Sequence, residues 1–194
     1  MNARIGRGLP PALRGDAAAI YWQAFGTKLG VVMGPEPRAL RLLQRTIRAD
    51  HCLIATDREG RLLGLAGFKT AQGAFAGGTF ADLRAVYGLP GALWRAGLLA
   101  MLERSADGHR FLLDGICVAP AARGRGVGSA LLDAICDEAR ARGYPAVRLD
   151  VVDTNARARA LYERYGFRAV GTTPIGPLRH VFGFSSSTSM TLAL

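Results

Sequence analysis

A basic, glycine-rich step, Arg123-Gly124-Arg125-Gly126-Val127-Gly128, joins an apolar run to an amphipathic stretch, and it constrains this chain more than any other segment. The run before it, Phe111-Leu112-Leu113-Asp114-Gly115-Ile116-Cys117-Val118, is short, mostly apolar and closed by Pro120, as a buried strand is. After it, Ala130, Leu131, Ala134, Ile135 and Ala139 recur at helical spacing up to a stop at Gly143. Three alternating glycines let the backbone take unusual dihedrals and approach a ligand with no side chain between. The first helical turn then aims unpaired N–H groups and a positive dipole end at the loop. A phosphate or pyrophosphate suits such a place, although glycines so arranged also serve tight turns.

One helix and one strand farther on comes Asn155-Ala156-Arg157-Ala158-Arg159-Ala160-Leu161-Tyr162-Glu163-Arg164-Tyr165-Gly166-Phe167. Asn155 is a good N-cap and Gly166 a good C′ residue, and Asn155, Ala158 and Tyr162 share one helical face. Arg123-x-x-Gly126-x-Gly128 resembles the acetyl-CoA pyrophosphate signature of the GCN5-related N-acetyltransferases (GNAT), and 155–167 resembles that family's next motif. The close resemblance covers 111–170; the flanks fit in general layout. It implies a mixed α/β fold, with a mostly antiparallel central sheet flanked by helices and splayed at the acetyl-CoA site. It also implies an acyltransferase using acetyl-CoA as cosubstrate.

The 194 residues, 49% of them hydrophobic, suffice for one well-cored unit, so 1–194 is expected to be a single acetyltransferase domain. No apolar stretch is long enough to span a bilayer, and the basic start lacks a signal peptide's apolar core. A cytoplasmic protein with no membrane partner is the expectation. Cys52, Cys117 and Cys136 are scattered and odd in number, and with three histidines neither a disulfide framework nor a metal centre is expected. The net charge of +10 raises nucleic acid as a partner, but arginines run through the whole chain with acids between them and no dense basic block stands out. No nucleic-acid partner is expected; an anionic CoA beside Arg123 and Arg125 is.

From the start the chain reads as a helix opened at Asp16, a second after Pro35-Glu36-Pro37, and a hairpin of Cys52–Thr56 and Leu62–Thr70. Then come an inserted helical segment, the strand–glycine loop–helix unit, a strand over Ala146–Val152, the tyrosine helix, and closing strands at 168–172 and 188–194. The insertion, at about 71–108, departs from the minimal family layout. In it Thr79 and Asp82 resemble a capping box, and after Pro90 an apolar face of Leu93, Trp94, Leu98, Met101 and Leu102 is expected. That face is expected to pack against the domain or a second subunit, as in a homodimer, or to cover the acceptor. As a membrane-surface helix it has only Arg95 and Arg104 for anchors.

Acyl transfer from a thioester to an amine needs the two partners held together, a donor for the oxyanion and a proton for the departing thiolate. By resemblance, backbone groups of Ile116, Cys117 and Val118 hold the pantetheine arm, and the Val118 N–H polarises the carbonyl. Arg123, Gly124, Arg125, Gly126, Val127, Gly128 and Ser129 wrap the pyrophosphate, Tyr162 protonates the sulfur, and Asn155 contacts the pantetheine or a relay water. Asp114 lies on the strand entering this site, alternates onto the face of Ile116 and Val118, and is a candidate base. It is equally readable as a charge at a strand bulge with no role. Cys117 lacks a histidine partner in sequence, which favours direct transfer over an acyl-enzyme. The acceptor, a small-molecule or peptide amine, is expected against the first helices and the insertion, with Tyr21, Trp22, Phe25 and Lys28 nearby. Two other readings stand beside this one: a non-catalytic acyl-CoA sensor, and a Rossmann-type dinucleotide unit with Asp150 as its acid.

Overall fold

The apolar runs assemble into one eight-stranded sheet in a computed structural model that describes residues 3–102 and 110–194. Its strands are β1 (Arg4–Arg7), β2 (Cys52–Thr56), β3 (Leu62–Thr70), β4 (Gly73–Ala74), β5 (Phe111–Val118), β6 (Ala146–Val152), β7 (Arg168–Pro174) and β8 (Ser186–Ala193). They lie in the order β1-β2-β3-β5-β6-β8-β7, with β4 paired to β3. Among the named strands only β5 and β6 run parallel, as the intervening helix requires; the other pairs are antiparallel. This mixed sheet rules out the doubly wound parallel sheet of a Rossmann unit.

Two layers of helix cover the sheet. On one face lie α4 (Val127–Ala141) and α5 (Ala156–Tyr165), whose Leu131, Leu132, Ile135 and Tyr162 pack with Phe68, Phe111, Leu113 and Leu149. The Tyr165 hydroxyl donates to Asp133 Oδ1 at 2.6 Å and ties the two helices together. On the other face, α1 (Arg14–Met33), α2 (Glu36–Thr46) and α3 (Phe80–Leu102) pack their Ile20, Leu43, Leu83 and Tyr87 against Leu65 and Cys117. A short α6 (Arg179–Phe182) closes a third cluster in which Phe182 and Phe184 meet Val32. Two strands and the short α6 have no counterpart in the sequence reading. β1 arises from the basic N-terminal stretch and pairs Ile5 with Ala55, while Arg7 Nε donates to the buried Glu138 of α4 at 2.8 Å. β4 is two residues long.

The inserted segment differs from expectation in its phase. Its start is the expected capping box: Thr79 N donates to Asp82 Oδ2 at 3.0 Å and Asp82 N to Thr79 Oγ1 at 3.3 Å. The helix then breaks at Gly88, whose φ of 71° and ψ of 174° no helix accommodates, and restarts at Pro90. The restart turns Ala92, Arg95, Ala96 and Leu99, an i, i+3, i+4, i+7 set, inward. Leu93, Trp94 and Met101, expected on the packed face, are 60%, 44% and 65% exposed, whereas Leu98 packs beside Phe182 and the side chain of Leu102 lies outside the described residues. The buried Arg95 guanidinium replaces them as the anchor. It lies 3.9 Å from the Tyr87 ring centroid and 4.1 Å from that of Trp94, and donates to the Gly34 carbonyl at 3.2 Å. Trp94→Ala therefore removes one face of a cation–π stack and no core volume. We expect a loss of about 1 kcal/mol in denaturant unfolding, far below the ~3–5 kcal/mol of a core tryptophan.

Candidate active site

β5 and β6 pair only through Phe111, Leu112 and Leu113 against Val147, Arg148 and Leu149. Beyond that point β5 continues with β3 and β6 with β8, and the two strands part. The parting leaves backbone groups facing an opening. Ala119 N donates to Leu63 O at 2.9 Å, and Val118 is opposite Gly64 in the next register position. Antiparallel pairs alternate between exchanging both bonds and exchanging none, so Val118 and Ile116 direct their N–H and C=O groups away from β3, into the opening. The backbone of Cys117, in the intervening position, belongs to the β3 ladder, unlike the other two residues of the expected trio. The Val118 carbonyl is engaged by Arg123 Nε at 3.1 Å, which turns that guanidinium back toward the strand end.

The glycine step enters the opening from the α4 side. Gly124 and Gly126 have φ of 74° and 80°, dihedrals that L side chains rarely adopt, and a Cβ built on either meets no protein atom within 4 Å. Gly126 is the N-cap residue of α4 and offers no side chain to the first-turn N–H groups. The sequence thus forms a helix start whose donors and dipole face open space. Val127 is buried in the core and anchors this turn, whereas Arg123, Gly124, Arg125 and Ser129 are exposed. At Gly128, a Cβ would lie 3.4 Å from Leu161 Cδ2 and 3.9 Å from Val118 Cγ2, so the α4 start, the β5 end and α5 converge here.

Asn155 is the N-cap of α5, its Oδ1 accepting from Ala158 N at 3.2 Å. That bond accounts for its residue type. Tyr162, on the same helix, is 8% exposed, with its ring centroid 5.8 Å from that of Phe167. Burial and then the nearby Cys117 push its phenol up to about 12, so the hydroxyl keeps its proton at any ordinary pH. Burial, then Asp114, pushes the Cys117 thiol well above its usual value, so the thiol form persists.

Asp114 does not share a face with Ile116 and Val118. Gly67 pairs with Gly115 but Phe68 with Leu113, so Asp114 is the extra residue of a β-bulge. A bulge resets the two-residue alternation. Ile116 and Val118 pack on the α4 side, whereas Asp114 lines a cleft of about 720 Å³ on the α1–α3 side, beside Tyr21 and Asp150. The backbone can approach α1 there because residue 115 is glycine: a Cβ would stand 2.6 Å from Phe25 Cζ. Tyr21 stacks 4.6 Å from Phe25, and burial, then Asp114 and Cys117, raise its phenol well above the ordinary value. The cleft's far wall comes from Met33, Leu43, Leu83 and Leu99 of the three helices. Burial, opposed by Asp153, lowers the ammonium pKa of Lys28. Asp150, read from sequence only as a dinucleotide acid, faces the cleft from β6, with its side chain 5% exposed and accepting from Ser189 Oγ and Arg148 Nη2. Its inward aim follows from strand alternation against the buried Leu149 and Val151, a signal present in the sequence.

The loop, the parted strands and α5 lie within a segment, residues 17–167, that matches the model of the Acetyltransferase (GNAT) family. Among solved structures, an acetyltransferase is 24% identical, with a TM-score of 0.63 over 98% of each chain. An N-acetyltransferase from Staphylococcus aureus Mu50 is 16% identical, with a TM-score of 0.70 over 98% of this chain and 100% of that one. A ribosomal-protein-alanine N-acetyltransferase from Brucella melitensis is 22% identical, with a TM-score of 0.63 over 98% and 99%. No curated protein matches the chain in sequence. With the glycine loop, the splayed sheet and the family match in agreement, the chain belongs to the GNAT family and is an acyltransferase.

Proposed function

We propose that this protein, acting as one domain in the cytoplasm, moves an acetyl group from acetyl-CoA to a primary amine by direct attack. The observation that carries the reading is the meeting, at one parting of strands, of an uncapped helix N-terminus and outward-facing backbone on one side and a carboxylate-bearing cleft on the other. The open Cβ positions over Gly124 and Gly126 fit a pyrophosphate, with Arg123 and Arg125 adding charge. Ile116 and Val118 offer a strand edge of the kind an amide-bearing pantetheine can pair with.

Acetyl-CoA supplies the acyl group as a thioester. In this reading the Val118 N–H polarises the carbonyl, the acceptor nitrogen bonds to the carbonyl carbon, and the carbon–sulfur bond breaks. Tyr162 gives its proton to the leaving sulfur, Asp114 takes the proton lost by the nitrogen, and solvent returns a proton to Tyr162. Calorimetric titration with CoA and with NAD tests the ligand: a protein silent toward CoA, or one preferring NAD, overturns the reading. Asp114 is exposed, and Asp114→Asn keeps the side chain's size while removing its charge. Because water reaches the same position and can substitute as base, we expect only a roughly tenfold fall in kcat/KM, measured by thiol release.

A further inference from the structure

Lysine and arginine together number 25 in this chain, and only Lys28 and Lys69 are lysines. A guanidinium keeps its proton and offers no amine to an acyl donor. Side-chain amines are thus confined to two places, and α1 carries one of them across the site. The Tyr21 ring lies 5.7 Å from that of Phe75, which covers Gly67 of β3. One turn on, Phe25 covers Gly115 of β5, and near the helix end Val32 joins Phe182, Phe184 and Val152 of β6. The helix therefore crosses the sheet over β3, β5 and β6 in turn. Lys28, three residues after Phe25 and four before Val32, shares their face. Phe25 and Val32 are roughly 10 Å apart along the axis, about twice the spacing of paired strands, so Lys28 stands over the interval where β5 and β6 have parted.

We propose, resting on the N-acetyltransferase reading above, that Lys28 is an acetylation site of this chain, its Nζ taking the acetyl group from acetyl-CoA bound to the same chain. The neutral Nζ bonds to the thioester carbonyl carbon, the carbon–sulfur bond breaks, and its electron pair leaves with the sulfur. Tyr162 protonates that sulfur, and solvent takes the surplus proton from the nitrogen and restores the one on Tyr162. Burial lowers the Lys28 ammonium pKa against the opposing pull of Asp153, which enlarges the neutral, nucleophilic fraction. Asp153 itself is occupied: both its oxygens accept from Ser185 N, and Oδ2 also from Ser186 N. Lys69 is the internal comparison. It pairs with Leu112, four residues back along β5 from Ile116 and more than about 10 Å away by strand rise. An amide does not pass its acetyl group on, so each chain modifies itself once.

The test needs no added amine. Peptides of the purified protein are mapped by mass spectrometry; the protein is then incubated with acetyl-CoA while thiol release and intact mass are followed. Thiol release is expected to stop at one equivalent per chain, with one acetyl group added on Lys28, at a first-order rate independent of protein concentration. Lys28→Arg keeps the cation and should lose this burst with calorimetric CoA affinity unchanged. Gly126→Asp, weakened in CoA binding, should acetylate Lys28 at least about tenfold more slowly at limiting acetyl-CoA. Lys28 already acetylated in the purified wild type and free in Gly126→Asp supports the proposal equally. A protein that binds CoA but leaves Lys28 free, modifies it no faster than Lys69, or does so at a rate rising with protein concentration overturns the proposal and leaves the acetyltransferase reading standing. Failure to bind CoA overturns both.

Discussion

Gly126→Asp is expected to weaken CoA binding at least about 100-fold while leaving a folded protein. The residue stands at φ 80° and ψ −2°, the left-handed position opening α4, and its Cβ direction points into space with no protein atom within 4 Å. An aspartate there does not collide with the fold. It incurs the strain of a left-handed L residue, roughly 1 kcal/mol, which corresponds to a melting-temperature loss of about 2–4 °C in a chain of this size. Its carboxylate can accept from the first-turn N–H groups, as a capping side chain does, and so occupies with negative charge the place the pyrophosphate needs. Gly126→Ala separates the two effects, because it carries the same strain and no charge. Calorimetry should show the alanine variant losing far less affinity than the aspartate variant. Equal losses in both would mean that backbone conformation, and not helix-end electrostatics, governs the loop.

Tyr162→Phe is expected to lower kcat on the order of 100-fold with CoA affinity changed less than about twofold. The ring packs against Phe167 in the α4–α5 core, and phenylalanine keeps that packing, so the fold has little to lose. What disappears is a proton held at an electrically quiet position: burial raises the phenol to about 12, so the neutral donor form persists across the assay range. The sign follows from that direction. Activity should rise with pH as the acceptor amine loses its proton and then stay level, falling only as pH approaches about 12, where the donor is lost. A decline beginning near pH 10 would show that the phenol is solvated during turnover. Unchanged turnover in the phenylalanine variant would assign the proton to water.

The strands at the site were legible because their signals are local. β5 and β6 begin and end where the apolar runs do, and α5 begins after Asn155 and ends before Gly166, each doing the work its residue type suggests. What was illegible depends on partners distant in the chain. β1 has no apolar alternation; it exists because β2 offers an unpaired edge and Glu138 awaits Arg7. In the insertion, Pro90 was readable as punctuation, but the rotation imposed at Gly88 was not, and that rotation decides which of two apolar stripes turns inward. Asp114 was legible in part: counting by twos along β5 puts it beside Ile116, whereas the strand bulge that the sequence equally allows is the one formed, with Leu113, Asp114 and Gly115 opposite only Phe68 and Gly67.

That one surplus residue makes the division of labour within β5 a matter of parity. Phe111 and Leu113 before position 114 and Ile116 and Val118 after it all face the α4 core, although the step from Leu113 to Ile116 is odd, because the surplus residue absorbs the mismatch. Removing the residue, unlike replacing it, would leave Leu113 opposite Phe68 and Gly115 opposite Gly67 in regular alternation, and only the carboxylate's own position would be lost. The carboxylate is thus housed in the strand's own irregularity, so position 114 is open to exchange of chemistry without disturbance of the ladder on either side. Lineages or designs that alter the acceptor by substitution there inherit the backbone edge unchanged; those that delete the residue straighten the ladder and give up the position.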